Sequence, residues 1–218
     1  PKPSSAASDV YKRQNTYSGG TAINGGALQV TQDNNLGAAS GALSLDGGTL
    51  RAAGSFSTGR ATTLGAGGGR FEVTGANALT LTSAVMGSGA LGKLGSGTLT
   101  LAADNGYTGG TQLNAGGLTG NTGSLQGNVA TAAGTTLTFN QNTNGTYGGN
   151  LSGAGNLEKA GTGTVTLDGA NTLTGAIGVA QGTLRAGGGA INTASGVRID
   201  SGATLALTSA ASIASLTG

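Results

Sequence analysis

Three segments of the chain align with one another, and this internal repeat constrains the fold more than any other feature of the sequence. Asn15, Asn105 and Asn171 occupy equivalent positions in the three copies. Stacked architectures repeat one structural unit of about 20 to 45 residues, and the two offsets between copies are close to four and three multiples of about 22. The spacing therefore predicts a solenoid with coils of about 22 residues, in which the repeat recurs at every third or fourth coil.

Short segments within and between the copies alternate between apolar and polar residues, which is the pattern of β-strands. Examples are L-S-L at residues 43–45, L-T-L at 79–81 and 99–101, and V-T-L at 165–167. Such a strand turns its apolar side chains to one face and its threonine or serine to the other. Asn-Gly and Asp-Gly pairs separate the strands as turns, and no stretch has helical periodicity. The sequence therefore predicts an all-β fold, a parallel β-solenoid.

The apolar composition fits a solenoid. Aromatic residues make up only 3% of the chain, and a narrow interior of this kind is filled by stacked Leu, Val, Ile and Ala. Residues 15–218, divided into coils of about 22 residues, give about nine coils and, at about 4.8 Å for each coil, a rod of about 45 Å.

The composition also excludes several functions. The chain has no Cys and no His, so Cys–His or Ser–His catalysis, the usual zinc sites and disulfides are excluded. Ten Lys and Arg against eight Asp and Glu do not form the basic surface of a nucleic-acid-binding protein. No apolar run approaches the ~18 residues of a membrane helix. We therefore expect no cofactor, no metal site, no nucleic-acid partner and no membrane insertion.

The repeat itself resembles a known family. Residues 87–120 read G-x-G-x-L-x-K-x-G-x-G-T-L-T-L-x-x-x-N-x-Y-T-G-x-T, and residues 152–186 follow this pattern with Leu173 in place of the aromatic residue. In the same copy Ala176 and Ile177 replace Gly-Thr, and residues 15–30 match only the second half of the pattern. The pattern is similar to the autotransporter-associated β-strand repeat of Gram-negative type V secretion passengers.

The resemblance implies a single-stranded right-handed parallel β-helix. It also implies export through the protein's own C-terminal outer-membrane β-barrel and a location at the cell surface or in the secreted fraction. In that family the repeat is associated with export and folding. We assign purely structural roles to the motif residues, which are Gly95, Gly97, Leu99, Leu101, Asn105, Tyr107, Gly109, Gly110, Leu113, Gly161, Gly163, Val165, Leu167, Asn171 and Gly175.

Other recurring side chains are also expected to be structural. Lys93 and Lys159 recur in the motif, and we expect them to be solvated at coil corners. We interpret the repeated Asn as a turn residue and the following Tyr as packing on a corner or at the surface. Gly-rich runs are loops, because neither is followed by the Lys-Ser/Thr of a phosphate-binding loop.

Two catalytic or binding alternatives remain open. A carbohydrate-active β-helix enzyme needs carboxylates within about 5–10 Å, whereas Asp46 and Asp200 lie about seven coils apart, or about 34 Å. An ice-binding solenoid needs Thr-x-Thr pairs on consecutive coils. The Thr-x-Thr pairs begin at positions 80, 98, 136 and 164, so the steps between them are uneven.

The sequence predicts two parts of unequal character. Residues 1–14 depart abruptly from the repeat and are expected to be non-native or disordered, whereas residues 15–218 are expected to be a β-helix passenger fragment without a visible signal peptide. We predict no enzymatic activity and a structural or interaction role, stalk or adhesin-like. Host-surface or glycan ligands are the expected partners besides the barrel.

Overall fold

A computed structural model describes residues 15–218, and the prediction for residues 1–14 falls outside this range. The described chain contains short strands and almost no helix. The strands are β1 (Thr21–Ile23), β2 (Ala27–Val30), β3 (Leu43–Leu45), β4 (Thr49–Ala52), β5 (Phe56–Thr58), β6 (Thr62–Leu64), β7 (Gly69–Val73), β8 (Ala78–Leu81), β9 (Val85–Gly87), β10 (Leu91–Leu94), β11 (Thr98–Leu101), β12 (Gly106–Tyr107), β13 (Thr111–Leu113), β14 (Gly117–Gly120), β15 (Val129–Thr131), β16 (Thr136–Asn140), β17 (Gly145–Tyr147), β18 (Leu151–Gly153), β19 (Asn156–Ala160), β20 (Thr164–Leu167), β21 (Thr172–Leu173), β22 (Ile177–Val179), β23 (Thr183–Ala186), β24 (Val197–Ile199), β25 (Thr204–Leu207) and β26 (Leu216–Thr217).

Every strand pairs in parallel with a strand of a neighbouring coil, so the chain winds into a β-solenoid of about ten turns. Successive strands visit three faces in turn. The first face consists of two sheets, β1-β3-β6-β9-β12 and β17-β20-β23-β25. In each coil the strand of either sheet comes directly before the second-face position. The second face runs from β2 to β21, and the third from β5 to β26. The all-β solenoid predicted from the sequence is confirmed.

Alternating residues of each strand fill the interior in columns. On the third face, buried leucines of five consecutive coils stand in register and stack on one another. These leucines are Leu79, Leu99, Leu118, Leu137 and Leu157. The residues between them in each strand point outward and are half-buried. Because each coil buries its apolar face only against its neighbours, the core is a continuous rod of side chains.

The coils vary in length and are on average shorter than the length of about 22 residues that the repeat offsets suggest, although coils near the start of the rod, such as the one from Thr21 to Leu43, keep it. Along the third face, one coil separates Leu79 from its register partner Leu99 and Leu137 from Leu157, which corresponds to about 20 residues for each coil. Shorter coils also explain why the chain makes about ten turns and not the expected number of about nine.

The repeat offsets overestimate the coil length because each copy of the repeat begins one face later than the copy before it. Equivalent strands are β1 and β2 in the first copy, β13 and β14 in the second, and β22 and β23 in the third. The offset between Asn105 and Asn171 is thus three coils and one further face, and not three coils alone.

Four coils lack one of the three strands, and in the last of them residues 208–215 form no second-face strand. A 3₁₀ turn, Asp33–Leu36, stands where the first coil would place its third-face strand, and it contacts β5. Residues 121–128 interrupt the first face. A helical turn, Gly188–Ile191, follows β23 and stands where that coil would place its second-face strand, in contact with β21.

The turn beside β5 is held by a buried arginine that sequence reasoning did not single out. Arg60 is 2% exposed, and its guanidinium donates to both carboxylate oxygens of Asp33 at 2.8 and 3.1 Å. It also donates to the carbonyls of Gly37, Ala38 and Gly41 at 2.9, 2.6 and 3.0 Å. The guanidinium thus binds the turn to the edge of the third face.

Candidate functional site

The recurring lysine of the motif forms the best-defined polar site. Lys93 lies on β10 of the second face, in register with Phe71 of the coil before. Its side chain is fully buried, and its Nζ donates to the carbonyl oxygens of Leu94 at 2.8 Å and Gly95 at 2.7 Å, and to that of Ala115 at 3.0 Å. Leu94 is the last residue of the strand, Gly95 begins the corner that follows it, and Ala115 lies at the same corner of the next coil. The ammonium group therefore joins two successive coils.

Lys159 repeats this arrangement on another face. It lies on β19 of the third face, is fully buried, and donates to the carbonyls of Ala160 and Gly161 at 2.8 Å and of Gln181 at 3.0 Å. The prediction that Lys93 and Lys159 are solvated is therefore wrong. Each aliphatic stem lies in the apolar core, and the charge is satisfied at a corner by backbone oxygens, which a sequence pattern does not reveal.

Burial also changes the acid–base behaviour of both groups. Desolvation lowers the pKa of Lys93 to about 8, although the carboxylate of Glu72 acts in the opposite direction. Desolvation lowers the pKa of Lys159 as well. At neutral pH the Lys93 ammonium is charged and can donate all three of its protons to the three carbonyls.

Two glycines complete each lysine corner. Gly95 has φ +75° and Gly161 has φ +77°, a left-handed backbone that strongly favours glycine. A Cβ atom at Gly95 would collide with the backbone oxygen of Val73, and one at Gly161 would collide with that of Gln141. The residue two positions later, Gly97 or Gly163, donates its N–H to the same oxygen atom, at 2.9 and 2.8 Å. The spacing K-x-G-x-G is therefore the signature of a corner that stacks closely on the coil before it.

The recurring asparagine also joins coils. Asn105 accepts the N–H of Val85 in the preceding coil at 2.7 Å and donates to the carbonyl of Ser124 in the next coil at 2.6 Å. Asn171 likewise accepts the N–H of Leu151 in the preceding coil at 2.8 Å. Each asparagine therefore extends the backbone ladder where the strand itself has not yet begun.

The aromatic position of the motif is part of a pair that the sequence analysis did not recognise. Tyr107 is 1% exposed, and its hydroxyl shares a 2.8 Å hydrogen bond with Thr111, so its expected place on a corner or at the surface is wrong. Burial raises the pKa of Tyr107. In the third copy both partners are apolar, because Leu173 and Ile177 are buried at the same two positions. The two departures from the motif are thus one coupled exchange, visible in the sequence as a joint change four positions apart.

The other tyrosines differ in exposure. Tyr17 in the first copy is 41% exposed and makes the equivalent bond to Thr21 at 2.7 Å. Tyr147 is buried, its ring packs edge-to-face on Phe139 with centroids 5.2 Å apart, and burial raises its pKa. Tyr147, like Tyr107, therefore presents no surface for adhesion.

The remaining motif residues lie in the core or at close approaches between coils. Gly109 and Gly175 face the backbone of the preceding coil, where a Cβ atom would collide with Gly89 and Gly155. Gly110 has a positive φ and also lies against a neighbouring coil. The buried inward positions are those of Leu99, Leu101, Leu113, Val165 and Leu167.

The acidic residues are separated or paired with arginine. Asp46 and Asp200 follow strands of different faces, β3 and β24, in coils far apart along the rod. The structure does bring Glu158 and Asp200 together, because both bind Arg198 on the outside of the third face. Sequence reasoning missed this network, and the signal that could have found it is the register that places Glu158 and Arg198 in one outward row. Within residues 15–218, no group of three His, Cys, Asp or Glu residues could hold a metal ion.

The threonine rows are more regular than their sequence intervals suggest. Four threonines stand in register on four consecutive coils of the third face, namely Thr80, Thr100, Thr119 and Thr138. The coil of Thr119 has no Thr-x-Thr pair, because Gly117 takes the place of the first threonine. The uneven steps counted from the sequence therefore concealed one continuous outward row. The next position in this row is Glu158, which ends it.

This geometry defines the chain as a parallel β-solenoid whose repeated motif builds coil corners. The family model of the passenger-associated-transport-repeat matches residues 14–30, 91–119 and 157–186, the same three copies that the internal alignment identifies. The chain therefore carries passenger-associated-transport-repeats in these three segments, and the matches support an autotransporter passenger domain with repeats. Comparison with curated proteins and with solved structures gives no significant match.

The repeat family has three further implications. It implies a C-terminal barrel partner and surface display or secretion from a Gram-negative outer membrane. It also suggests a structural segment. None of the helices in the described part of the chain is long and apolar enough to cross a membrane.

Proposed function

We propose that residues 15–218 form a non-catalytic structural and interaction segment of the passenger, stalk or adhesin-like, whose repeats aid export and folding. The observation that carries the proposal is that the polar side chains of the motif bind the neighbouring coils. Lys93 reaches Ala115, and Asn105 reaches both Val85 and Ser124. The motif residues therefore act as a framework that fixes each coil on the one before it.

Export gives this framework a purpose. A passenger that emerges from a pore as an extended chain must fold progressively, and a solenoid can do so because each coil contacts only its neighbours. The lysine of a corner forms its hydrogen bonds only with that corner and with the next coil. The corner can therefore fold as soon as two coils have emerged. Each completed corner would then oppose the return of the chain.

The export role can be tested in a fusion of the 218 residues between a signal peptide and an autotransporter barrel in Gram-negative cells. The measurement is the rate at which the segment becomes accessible to external protease. We expect Lys93→Met with Lys159→Met to slow display severalfold, while Arg185→Met, an exposed site, leaves the rate unchanged. Display of the double variant at the normal rate would contradict the export role.

The absence of catalysis is proposed on separate grounds. The acids that meet at Arg198 are both engaged in ion pairs with it on an open surface, and Asp33 and Glu72 are paired with Arg60 and Arg51. The purified chain should therefore release no reducing ends from acidic or neutral polysaccharides. Turnover that disappears in Glu158→Gln or Asp200→Asn would establish the carbohydrate-active alternative.

The continuous row of threonines makes ice binding the second function to be tested. The hydroxyls of Thr80, Thr100, Thr119 and Thr138 make no hydrogen bond to another described residue, and neighbouring strands lie about 4.8 Å apart. Four positions in one row form only a short surface, so we expect no thermal hysteresis. Hysteresis that is lost in Thr100→Tyr with Thr119→Tyr would replace the structural proposal by this one.

A further inference from the structure

The second face carries two adjoining depressions on its outer surface. The first, of about 210 Å³, lies over Gly92, and the second, of about 370 Å³, lies over Ala130. Gln112 borders both. Gly92, Gln112 and Ala130 stand in register on β10, β13 and β15, so the depressions form one groove along the axis of the solenoid.

The alternation of side-chain size creates the groove. Going along the outward row, Arg70 is followed by Gly92, Gln112, Ala130 and Ser152. The two small residues leave notches on either side of Gln112, and the Cγ of Arg70 borders the first notch, 3.1 Å from the position of a Cβ added at Gly92. Since Gly92 and Ala130 are two strands apart, the notches are separated by about 9.6 Å. This spacing is comparable to the length of a disaccharide in an extended glycan.

The groove is lined by polar groups that the fold does not use. Arg70 donates one hydrogen bond, from Nη1 to the carbonyl of Gly47 at 3.1 Å, and forms no ion pair with a residue of the range 15–218. The side-chain amides of Gln112 and Asn114 have no hydrogen-bond partner in that range. Asn128 uses only its Oδ1, which accepts the N–H of Asn150 at 2.9 Å.

Arg70 is the one charged side chain among the residues that line the two depressions. The carboxylate of Asp46 lies at the rim of the first depression, where it accepts the N–H of Gly67 at 2.7 Å. The nearest acid on the adjacent outward row, Glu72, already binds Arg51 at 2.8 Å. Arg70 therefore presents a guanidinium whose remaining donors match a carboxylate, beside amides that can both donate to and accept from hydroxyl groups.

We propose that this groove binds a linear acidic polysaccharide. One sugar carboxylate binds Arg70 in the Gly92 notch, and the sugar in the Ala130 notch places its hydroxyls against Gln112, Asn128 and Ser152. The inference deepens the interaction part of the proposed function and rests on it. An acidic peptide offers the same charge without the hydroxyls, so it separates charge attraction from glycan recognition.

The experiment is titration calorimetry of the purified 218-residue chain with hyaluronate and with polygalacturonate, both linear and acidic. Neutral dextran and polyglutamate are the reference polymers. We expect at least one of the acidic glycans to bind about tenfold or more tightly than either reference. Binding to neither glycan, or equal binding to polyglutamate, overturns the proposal.

Matched variants place the binding on the second face. Arg70→Gln and Ala130→Leu should each weaken glycan binding about tenfold, through loss of the charged hydrogen bond and through filling of a notch. Arg185→Gln and Ala206→Leu are the controls, because both residues lie in the outward row of the first face. Equal losses in the controls overturn the assignment of the groove.

The variants change outward side chains, so their melting curves should match that of the unaltered chain. The groove can fail independently of the proposed function. If the chain binds no acidic glycan, while the lysine variants are displayed more slowly than the unaltered segment and no polysaccharide is cleaved, the groove alone is rejected. Polysaccharide cleavage, or display of the lysine variants at the normal rate, rejects the proposed function.

Discussion

The corners of Lys93 and Lys159 are built alike on different faces of the solenoid. The three hydrogen bonds of the ammonium group measure 2.8, 2.7 and 3.0 Å at Lys93 and 2.8, 2.8 and 3.0 Å at Lys159. Both lysines also stand in register with a phenylalanine of the preceding coil, Phe71 or Phe139. The surroundings differ, since Glu72 lies near Lys93 only.

The comparison teaches that the motif specifies a corner and not a face. All three acceptors of each ammonium group are backbone oxygens of its own corner or of the same corner one coil later. Such a unit can be placed on any face, provided that the preceding coil offers a matching backbone. If the two corners are equivalent, the same substitution should have the same effect at both.

The glycine of each corner should be the most sensitive position. Gly95→Ala and Gly161→Ala combine a positive φ with a backbone collision and should each lower the free energy of unfolding by about 4 kcal/mol. Gly134→Ala is the matched control: its φ is +77° and nothing lies within 4 Å of the added Cβ, so it should cost only about 1–2 kcal/mol. Chemical denaturation followed by circular dichroism measures all three. A cost at Gly161 as small as that at Gly134 would show that the corners differ.

Removal of the ammonium group should have the next largest effect. Lys93→Met and Lys159→Met keep the aliphatic stem but leave three carbonyls without their donor, at an expected cost of about 3 kcal/mol in each case. Part of the loss is offset because methionine brings no charge into the core. Arg185→Met, which changes an exposed side chain, should stay within about 0.5 kcal/mol of the unaltered protein. Costs that differ between the lysines by more than about 1 kcal/mol would reveal a contribution from the face.

The Tyr–Thr pair of the second copy should be replaceable by the Leu–Ile pair of the third with a smaller loss of stability only when both residues are changed together. Tyr107→Leu alone leaves the buried Thr111 hydroxyl without its partner and should cost about 3 kcal/mol, of which the double change with Thr111→Ile should recover about 1–2 kcal/mol. The measurement is a double-mutant cycle of unfolding free energies. Additive effects within about 0.3 kcal/mol would mean that the exchange seen at Leu173 and Ile177 is not coupled.

The smallest effect is a dependence on pH. The pKa of Lys93 falls to about 8 in the folded chain from its ordinary 10.5, so between these values the unfolded chain binds more protons. Stability should therefore rise with pH above about 8, by at most about 1.4 kcal/mol per pH unit for this one group. Comparing the unaltered chain with Lys93→Met between pH 8 and 9.5 isolates this contribution before the tyrosines ionise. Identical pH profiles for the two proteins would contradict it.

The sequence predicted the class of fold well, because that prediction rests on local patterns. Alternation in segments such as Leu79–Leu81 and the glycine-rich turns both depend on residues that are close in the chain. The internal alignment likewise found the three copies that the family model matches. The coil length was harder to infer, since the displacement of the copies by one face leaves no mark in a single sequence.

The same limit applies to the polar sites. Nothing in the residues next to the lysine indicates that backbone carbonyls will accept hydrogen bonds from its ammonium group. Arg60 is not part of any recurring motif. Its four acceptor residues are distant in the sequence, from Gly41 back to Asp33. Only the joint replacement of Tyr and Thr by Leu and Ile could have been found from the sequence alone.

The residue pattern alone establishes that this chain is a repetitive stack of β-strands with tight glycine corners and no histidine or cysteine chemistry. The tertiary structure decided which residues meet, namely the lysines with their carbonyls, Glu158 and Asp200 with Arg198, and the small residues that form the groove over Gly92. The physical reason is that strand and turn preferences act between neighbours in the chain. The partners in a solenoid are instead set by the number of residues in each coil, and a small change in that number brings a different side chain into register.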